Sequence, residues 1–331
     1  MNNRKLSVEK FYNENRKSLK LNILTNEEGF QRIIDNGELN RPSLALAGFI
    51  DLFTYNRVQI LGNTETRFLK TLTVAEKRDA FKKVLQFNIP CIIVTESNRV
   101  PRDFIEIANK RKICVFRTKY STTVLSHMLS DYLQNYFAPR VTVHSTLVDV
   151  YGIGVLFTGR SGIGKSEIAL DLVERGHRLV ADDVVIITKK SDEILMGEAS
   201  ELSENHLEIR GLGIINVRNI FGIRAVRVHK RVEVEVKLVE FDSNENYERL
   251  GLDEKMTAIL GVEIPQVILP INPGKNITVI AETIALNQLL KIYGHHTPKE
   301  FVKKLEKKIK QQEKEHLIRL KQRDFLEKDY E

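Results

Sequence analysis

Tryptophan is absent from the 331 residues, and cysteine occurs only twice, at Cys91 and Cys114. Each cysteine sits inside a short β-like apolar run, so a disulfide framework is excluded and two buried free thiols are expected. No apolar run approaches the roughly 18 residues needed to span a bilayer. The longest candidate, Leu44 to Phe53, is short and carries Asp51. The first thirty residues mix charge with isolated apolar positions and show no signal-peptide pattern. No membrane association and a cytoplasmic location are the expectations. A one-signed basic patch interleaved with aromatics is also missing, which argues against nucleic-acid binding. The net charge of +7 comes partly from a mixed-sign tail, where Lys299 to Glu331 holds 11 basic and 8 acidic residues. Such runs mark a solvated helix face.

What is present is ordinary for a folded protein: 42% hydrophobic and 29% charged residues. The length suits two domains. From Val58 to Phe137, β-like runs alternate with helix-like segments. Val58–Leu61, Ile92–Thr95 and Ile113–Phe116 read as buried strands; Ala75–Gln86, Arg102–Lys110 and Thr122–Tyr136 read as helices. That alternation predicts an α/β domain with a mainly parallel sheet. Ala138-Pro139 breaks the pattern, placing domains at 1–138 and 139–331. The second block predicts strands at Val141–His144, Leu147–Val150 and Val155–Phe157, then one strand over Leu179–Thr188. Val226–Phe241 reads as a strand exposed on one face, and Ile280–Tyr293 as a helix closed by Gly294.

The sharpest feature is Gly159-Arg160-Ser161-Gly162-Ile163-Gly164-Lys165-Ser166. It fits the phosphate-binding pattern G-x-x-x-x-G-K-[ST], follows a predicted strand and opens a predicted helix. Glycines let successive N–H groups turn inward around phosphate oxygens, and the helix N-terminus adds partial positive charge. Lys165 can reach the β- and γ-phosphates of a nucleotide, and the Ser166 hydroxyl can ligate Mg²⁺. A carboxylate is needed beside that metal. Asp182-Asp183, within an apolar strand, is the nearest source. Alternation along the strand would send the two acids to opposite faces, one toward the metal and one toward a substrate hydroxyl. By pattern alone, Glu208 is a surface strand residue, His144 a structural histidine, Arg249 a solvated arginine, and Pro270 to Lys275 a proline–glycine turn.

The loop with Glu167, the Asp182-Asp183 strand and the stretch Leu207-Glu208-Ile209-Arg210-Gly211-Leu212-Gly213-Ile214-Ile215-Asn216-Val217 together resemble bacterial HPr kinase/phosphorylase. Arg41 to Phe49 resembles the same family's first domain. The resemblance implies a C-terminal P-loop catalytic domain similar to phosphoenolpyruvate carboxykinase, and a homohexamer. It implies phosphorylation of a serine of the phosphocarrier HPr from ATP or pyrophosphate, with Mg²⁺, and phosphorolysis by inorganic phosphate that releases pyrophosphate. It further implies that Asp183 is the acid/base, Glu208 a second Mg²⁺ ligand, and His144, Lys165 and Arg249 active-site residues. Pro270-Ile271-Asn272-Pro273-Gly274-Lys275 would be the loop used mainly in dephosphorylation. Two positions there depart from the family pattern: Asn272 and Lys275 stand where arginine is usual, which predicts weak handling of inorganic phosphate. Arg160 occupies a variable position where an acid is common. A P-loop kinase for another protein or metabolite, and a nucleotide-dependent regulatory module without catalysis, are the rival readings.

Overall fold

The computed structural model describes residues 4–243, 245, 254–272 and 274–328, with side chains as far as Arg319. The chain divides into two compact units, Met1–Pro139 and Arg140–Glu331. Among the described residues no helix is long and apolar enough to cross a membrane.

In the first unit, β1 (Leu6–Ser7) leads into α1 (Val8–Asn15), followed by β2 (Asn22–Ile23), β3 (Ile33–Ile34) and β4 (Leu39–Asn40). The helices α2 (Ser43–Leu46), α3 (Asn63–Thr71), α4 (Val74–Leu85), α5 (Arg102–Lys110) and α6 (Thr122–Phe137) alternate with β5 (Val58–Leu61), β6 (Cys91–Val94) and β7 (Cys114–Arg117). The sheet order is β2-β7-β6-β5-β4, parallel throughout except for β2. Helices cover both faces. Cys91 and Ile93 pack with Phe11, Leu125 and Leu129, while Ile92 and Val94 pack with Phe81, Leu85 and Phe104. Strands buried on both faces need unbroken apolar runs, which is why these segments show no polar alternation. The free thiols of Cys91 and Cys114 are register partners, and burial pushes both up, Cys114 to about 11.

The second unit opens with β8 (Arg140–His144), β9 (Thr146–Val150) and β10 (Ile153–Thr158). Helix α7 (Lys165–Glu174) then leads to β11 (Arg178–Ala181), β12 (Val184–Ser191) and β13 (Ile194–Ala199). A hairpin of β14 (His206–Ile209) and β15 (Gly213–Asn216) runs into α8 (Val217–Phe221). Next come β16 (His229–Arg231), β17 (Val234–Glu240), β18 (Lys255–Ile259) and β19 (Val262–Ile271), then α9 (Ile277–Ile292) and α10 (Thr297–Lys328), which is mostly exposed as far as Arg319. Two main sheets result: a mixed six-stranded sheet, β11-β9-β10-β17-β19-β18, and an antiparallel four-stranded sheet, β16-β13-β12-β8. Leu147, Leu156, Val185 and Ile187 fill one core together.

Two strands expected to be continuous are each split between these sheets. Leu179–Thr188 ends one strand at Ala181 and starts another at Val184, in the other sheet. The break falls on the two aspartates, and Asp183 has φ 63, a left-handed conformation that aspartate tolerates better than its β-branched neighbours. Val226–Phe241 splits likewise between β16 and β17. Glu235, expected to face solvent, is buried: it accepts from Thr158 and from Gln266 Nε2 at 2.8 Å. An apolar period cannot report a change of sheet, because both sheets bury the same alternating positions.

Candidate active site

Strand β10 is buried along Ile153–Phe157 and delivers the chain into the loop 159–164. Gly164, at φ 100, is the N-cap of α7, so the loop closes directly onto a helix N-terminus. That end concentrates unpaired N–H groups and partial positive charge, an arrangement suited to a phosphate. Lys165 is 6% exposed, and its ammonium donates to the carbonyls of Gly159 and Arg160, each at 3.2 Å. Burial holds its pKa below the usual lysine value, while Asp182, Asp183 and Glu167 oppose that shift. Ser161 lines the cleft and Ile163 packs against the core. Arg160 instead turns to Glu240, away from the phosphate cleft.

The sheet-to-sheet step sends the two acids to different environments. Asp182 is 2% exposed and accepts from Thr146 Oγ1 at 2.6 Å, from Ser166 Oγ at 2.9 Å, and from the N–H of Glu208 at 3.3 Å. It therefore ties together β9, α7 and the β14–β15 hairpin. Asp183 keeps 55% of its side chain exposed, and its Oδ1 stands 2.9 Å from Nδ1 of His144. Their meeting follows from strand register: His144 lies opposite Val184 in the β8–β12 pairing, and Ser145 N–H donates to Asp183 O at 3.2 Å. The opposite exposures of the acids thus arise from a turn, where alternation along one strand was expected.

The hairpin supplies the roof. Leu207, Ile209 and Ile215 turn toward the core, while Glu208, on the other face of β14, lines the phosphate cleft. Between the strands, Arg210 swings over the loop. A Cβ placed on Gly162 would lie 2.6 Å from both Cζ and Nη1 of Arg210, and closer still to Nη2. The guanidinium thus rests on Gly162, whose φ of 78 already favours glycine. Asn216 caps α8 by accepting from Asn219 N–H at 2.9 Å. Gly211, Leu212, Gly213 and Ile214 are exposed, and neither glycine has a neighbour within 4 Å of its would-be Cβ. Of the expected signature, Glu208 and Arg210 reach the site, and the remaining members shape the hairpin or face solvent.

The cleft has a volume of about 110 Å³. Four carboxylates line it (Glu167, Asp182, Asp183 and Glu208) against two basic side chains, Lys165 and Arg210. With His144 neutral, the lining is two charges negative, a balance that a divalent cation would offset. Among the described residues no three His, Cys, Asp or Glu side chains form a metal-holding group. Mg²⁺ suits that pattern, because it is usually held by one or two carboxylates together with phosphate oxygens and water. The donors available are all oxygens: Ser166, Asp182 and Glu208.

The described residues of the 270–275 segment come near this cleft through Gly274 and Lys275, which line a hollow that shares Glu167 with it. Pro270 and Ile271 end β19, paired with Val239 and Glu240, and Lys275 N–H donates to Asn272 O at 3.2 Å. A second hollow, of about 390 Å³, lies between Gly274–Thr278 and the face of α7 bearing Glu167, Ile168 and Asp171. Glu167 borders both hollows. Arg249 and Pro273 lie outside the described residues. Behind the site, Glu282 of α9 accepts from Arg175 at 2.8 and 2.7 Å and meets Nε2 of His177 at 3.0 Å. Arg175 above all, with His177, holds the Glu282 carboxyl down at about 2. The sequence pattern left the two aspartates interchangeable, and only the resemblance singled out Asp183; neither gave Arg210 a role of its own. An acid pair interrupting an apolar run was the available signal for the first; the second depends on a tertiary approach that has no local pattern.

The chain matches the family models described as HPr Serine kinase N terminus, over residues 6–133, and HPr Serine kinase C-terminal domain, over residues 135–305. It is 49% identical over 306 residues to a protein of Chloroherpeton thalassium named HPr kinase/phosphorylase, covering 92% of this chain and 90% of that one. A protein of the same name from Prosthecochloris aestuarii is 48% identical over 332 residues, covering 99% and 97%. Among solved structures, the Hpr(Ser) kinase/phosphatase from Coxiella burnetii is 33% identical, covers 46% of this chain and 99% of that one, and superimposes with a TM-score of 0.43.

Proposed function

This chain belongs to the HPr kinase/phosphorylase family, and from that premise we propose that the cleft at Lys165 carries phosphoryl transfer between ATP and a serine of HPr, and its reversal by inorganic phosphate. In the forward direction the serine oxygen attacks the γ-phosphorus, the bond to the bridging oxygen breaks, and ADP leaves. Asp183 accepts the serine proton. In reverse, inorganic phosphate attacks the phosphoserine phosphorus, the serine oxygen departs with a proton returned by Asp183, and pyrophosphate is released. Pyrophosphate can serve as donor because the loop grips phosphates and needs no base or ribose.

The observation that carries this reading is Asp183, a half-exposed carboxylate anchored by His144 at the rim of a phosphate loop. A nucleotide-dependent switch without catalysis needs no proton acceptor there. His144 acts as a positioning residue, holding Asp183 toward the incoming hydroxyl. Lys165 and Arg210 offset charge on the transferring group. Mg²⁺, held by Ser166 with Asp182 and Glu208 nearby, supplies further charge neutralisation when bound. Arg249 belongs to the same reading on sequence alone. So do a catalytic unit similar to phosphoenolpyruvate carboxykinase, a homohexameric assembly, a regulatory or assembly role for the first unit, and a cytoplasmic location. Transfer of label from γ-labelled ATP to purified HPr tests the assignment. Lys165→Ala should abolish transfer in both directions, and near-normal transfer by the folded variant would refute it.

A further inference from the structure

The first unit holds a hollow of about 240 Å³ at the carboxyl ends of β5 and β6. Leu61, Leu69, Val100 and Pro101 make its walls apolar, and Lys70, Lys77 and Arg99 stand around it. The space is many times what a single water needs and suits a small metabolite. It is built from the loops and helices that follow those two strands. The loop that follows β6 is also held in an unusual shape. Glu96 and Ser97 are consecutive non-glycine residues at φ 56 and φ 54. Their N–H groups donate to Tyr120 O at 2.8 Å and Thr118 O at 2.9 Å, and the Glu96 carboxylate accepts from Asn63. Such conformations persist where the surroundings enforce them, here through the hydrogen bonds of Glu96 and Ser97 just ahead of Arg99.

The charge pattern selects the ligand. Among the described residues the side chains of Lys70, Lys77 and Arg99 form no ion pair or hydrogen bond, whereas Arg41, Lys83, Arg175 and Arg227 do. The start of α3 next to the hollow is already served by an acid, because Glu65 accepts from Gly62 N–H at 2.8 Å and from Arg41 at 3.1 and 3.0 Å. The helix terminus is therefore not the anion site; the three side-chain cations are. An apolar hollow ringed by unpaired cations matches a molecule with one apolar and one anionic end. We propose that this hollow binds a small organic anion, its apolar body against Leu61, Leu69 and Val100 and its charged head between Lys70, Lys77 and Arg99. The inference does not depend on the phosphotransfer reading of the second unit.

The test uses the full chain and the fluorescent arylsulfonate 8-anilinonaphthalene-1-sulfonate as probe. Lys70 and Arg99 are exposed and Lys77 half-buried, so the triple variant Lys70→Glu/Lys77→Glu/Arg99→Glu leaves the apolar core intact. Probe affinity should fall at least tenfold in that variant. Hexanoate should displace the probe from the unaltered protein; hexanol (the body without the charge), inorganic phosphate (the charge without the body) and ATP should not. Equal probe affinity in the triple variant would assign the fluorescence to other exposed apolar surface and overturn the proposal. Displacement by phosphate or hexanol as effective as that by hexanoate would overturn it too.

Discussion

Gly162→Ala isolates the contact between the hairpin and the phosphate loop. The substitution has two separable costs. At φ 78 a Cβ is strained, by roughly 1–2 kcal/mol for an L-residue in the left-handed region. The same Cβ would fall 2.6 Å from Cζ of Arg210, inside van der Waals contact, so the guanidinium must leave. The end of a long arginine moves cheaply, and displacing it should add little to the loss of stability. The functional loss should be larger. One charge-assisted hydrogen bond from Arg210 to phosphate contributes roughly 1.5–3 kcal/mol. At about 1.4 kcal/mol per factor of ten, transfer to HPr should drop by roughly ten- to a hundredfold. Arg210→Ala should lose activity to a similar extent while keeping normal stability in urea. The decisive measurement is the double variant, assayed with labelled ATP. If Gly162→Ala acts through Arg210, the double variant is hardly slower than either single one, and its stability matches that of Gly162→Ala alone. Losses in rate that multiply across the two sites would sink the argument, because they would mean that the two residues act independently.

Asp183→Asn should slow transfer by roughly 10²–10⁴-fold with nucleotide binding retained; Asp182→Asn should mainly raise the Mg²⁺ concentration needed, and the opposite pattern would exchange their roles. Glu282→Gln should destabilise the protein at pH 7. A shift from the ordinary 4.5 to about 2 sets a ceiling of ~3 kcal/mol, and roughly half should survive screening because the Arg175 side chain is half exposed. The folded value is the lower one, so this stability is fully present above pH 4.5 and disappears as pH falls toward 2. Urea midpoints for the two proteins should therefore converge across that window, and a gap unchanged at pH 2 contradicts the assignment. Asn272→Arg should improve phosphate-dependent removal of the serine phosphate by roughly ten- to a hundredfold, through one added charge-assisted bond. An identical phosphate dependence in the unaltered protein and the variant would dismiss the idea.

The legible parts of the molecule are those encoded over short spans. The eight residues from Gly159 to Ser166 announce a phosphate loop because each backbone requirement has its own residue type. Strands such as Ile92–Val94 stand out because a doubly covered strand needs unbroken apolar sequence. Whatever depends on a change of partner was hidden. The run from Leu179 to Thr188 keeps one apolar rhythm although it serves two sheets, so the turn at Asp182-Asp183 read as alternation. Glu235 looked like a solvent-facing residue because nothing local announces that Thr158 and Gln266 will meet it. Arg210 gave no sign of its place over Gly162, since that contact joins residues 48 positions apart.

The step between sheets at Asp182-Asp183 bears on how this enzyme can evolve. The Asp182-Asp183 step joins a strand of the six-stranded sheet to one of the four-stranded sheet and sets the buried and the half-exposed acid at their separation. A residue inserted there would slip β12 by one position against β8, reversing which side chains face the core and taking Asp183 away from His144. A deletion would remove one of the acids or the left-handed residue that makes the turn. The turn at the far end of β12, between Ser191 and Ile194, carries no such burden, because Asp192 and Glu193 are exposed there. On this geometry a change of length at the Ser191–Ile194 turn should be tolerated, and one between the two acids should not.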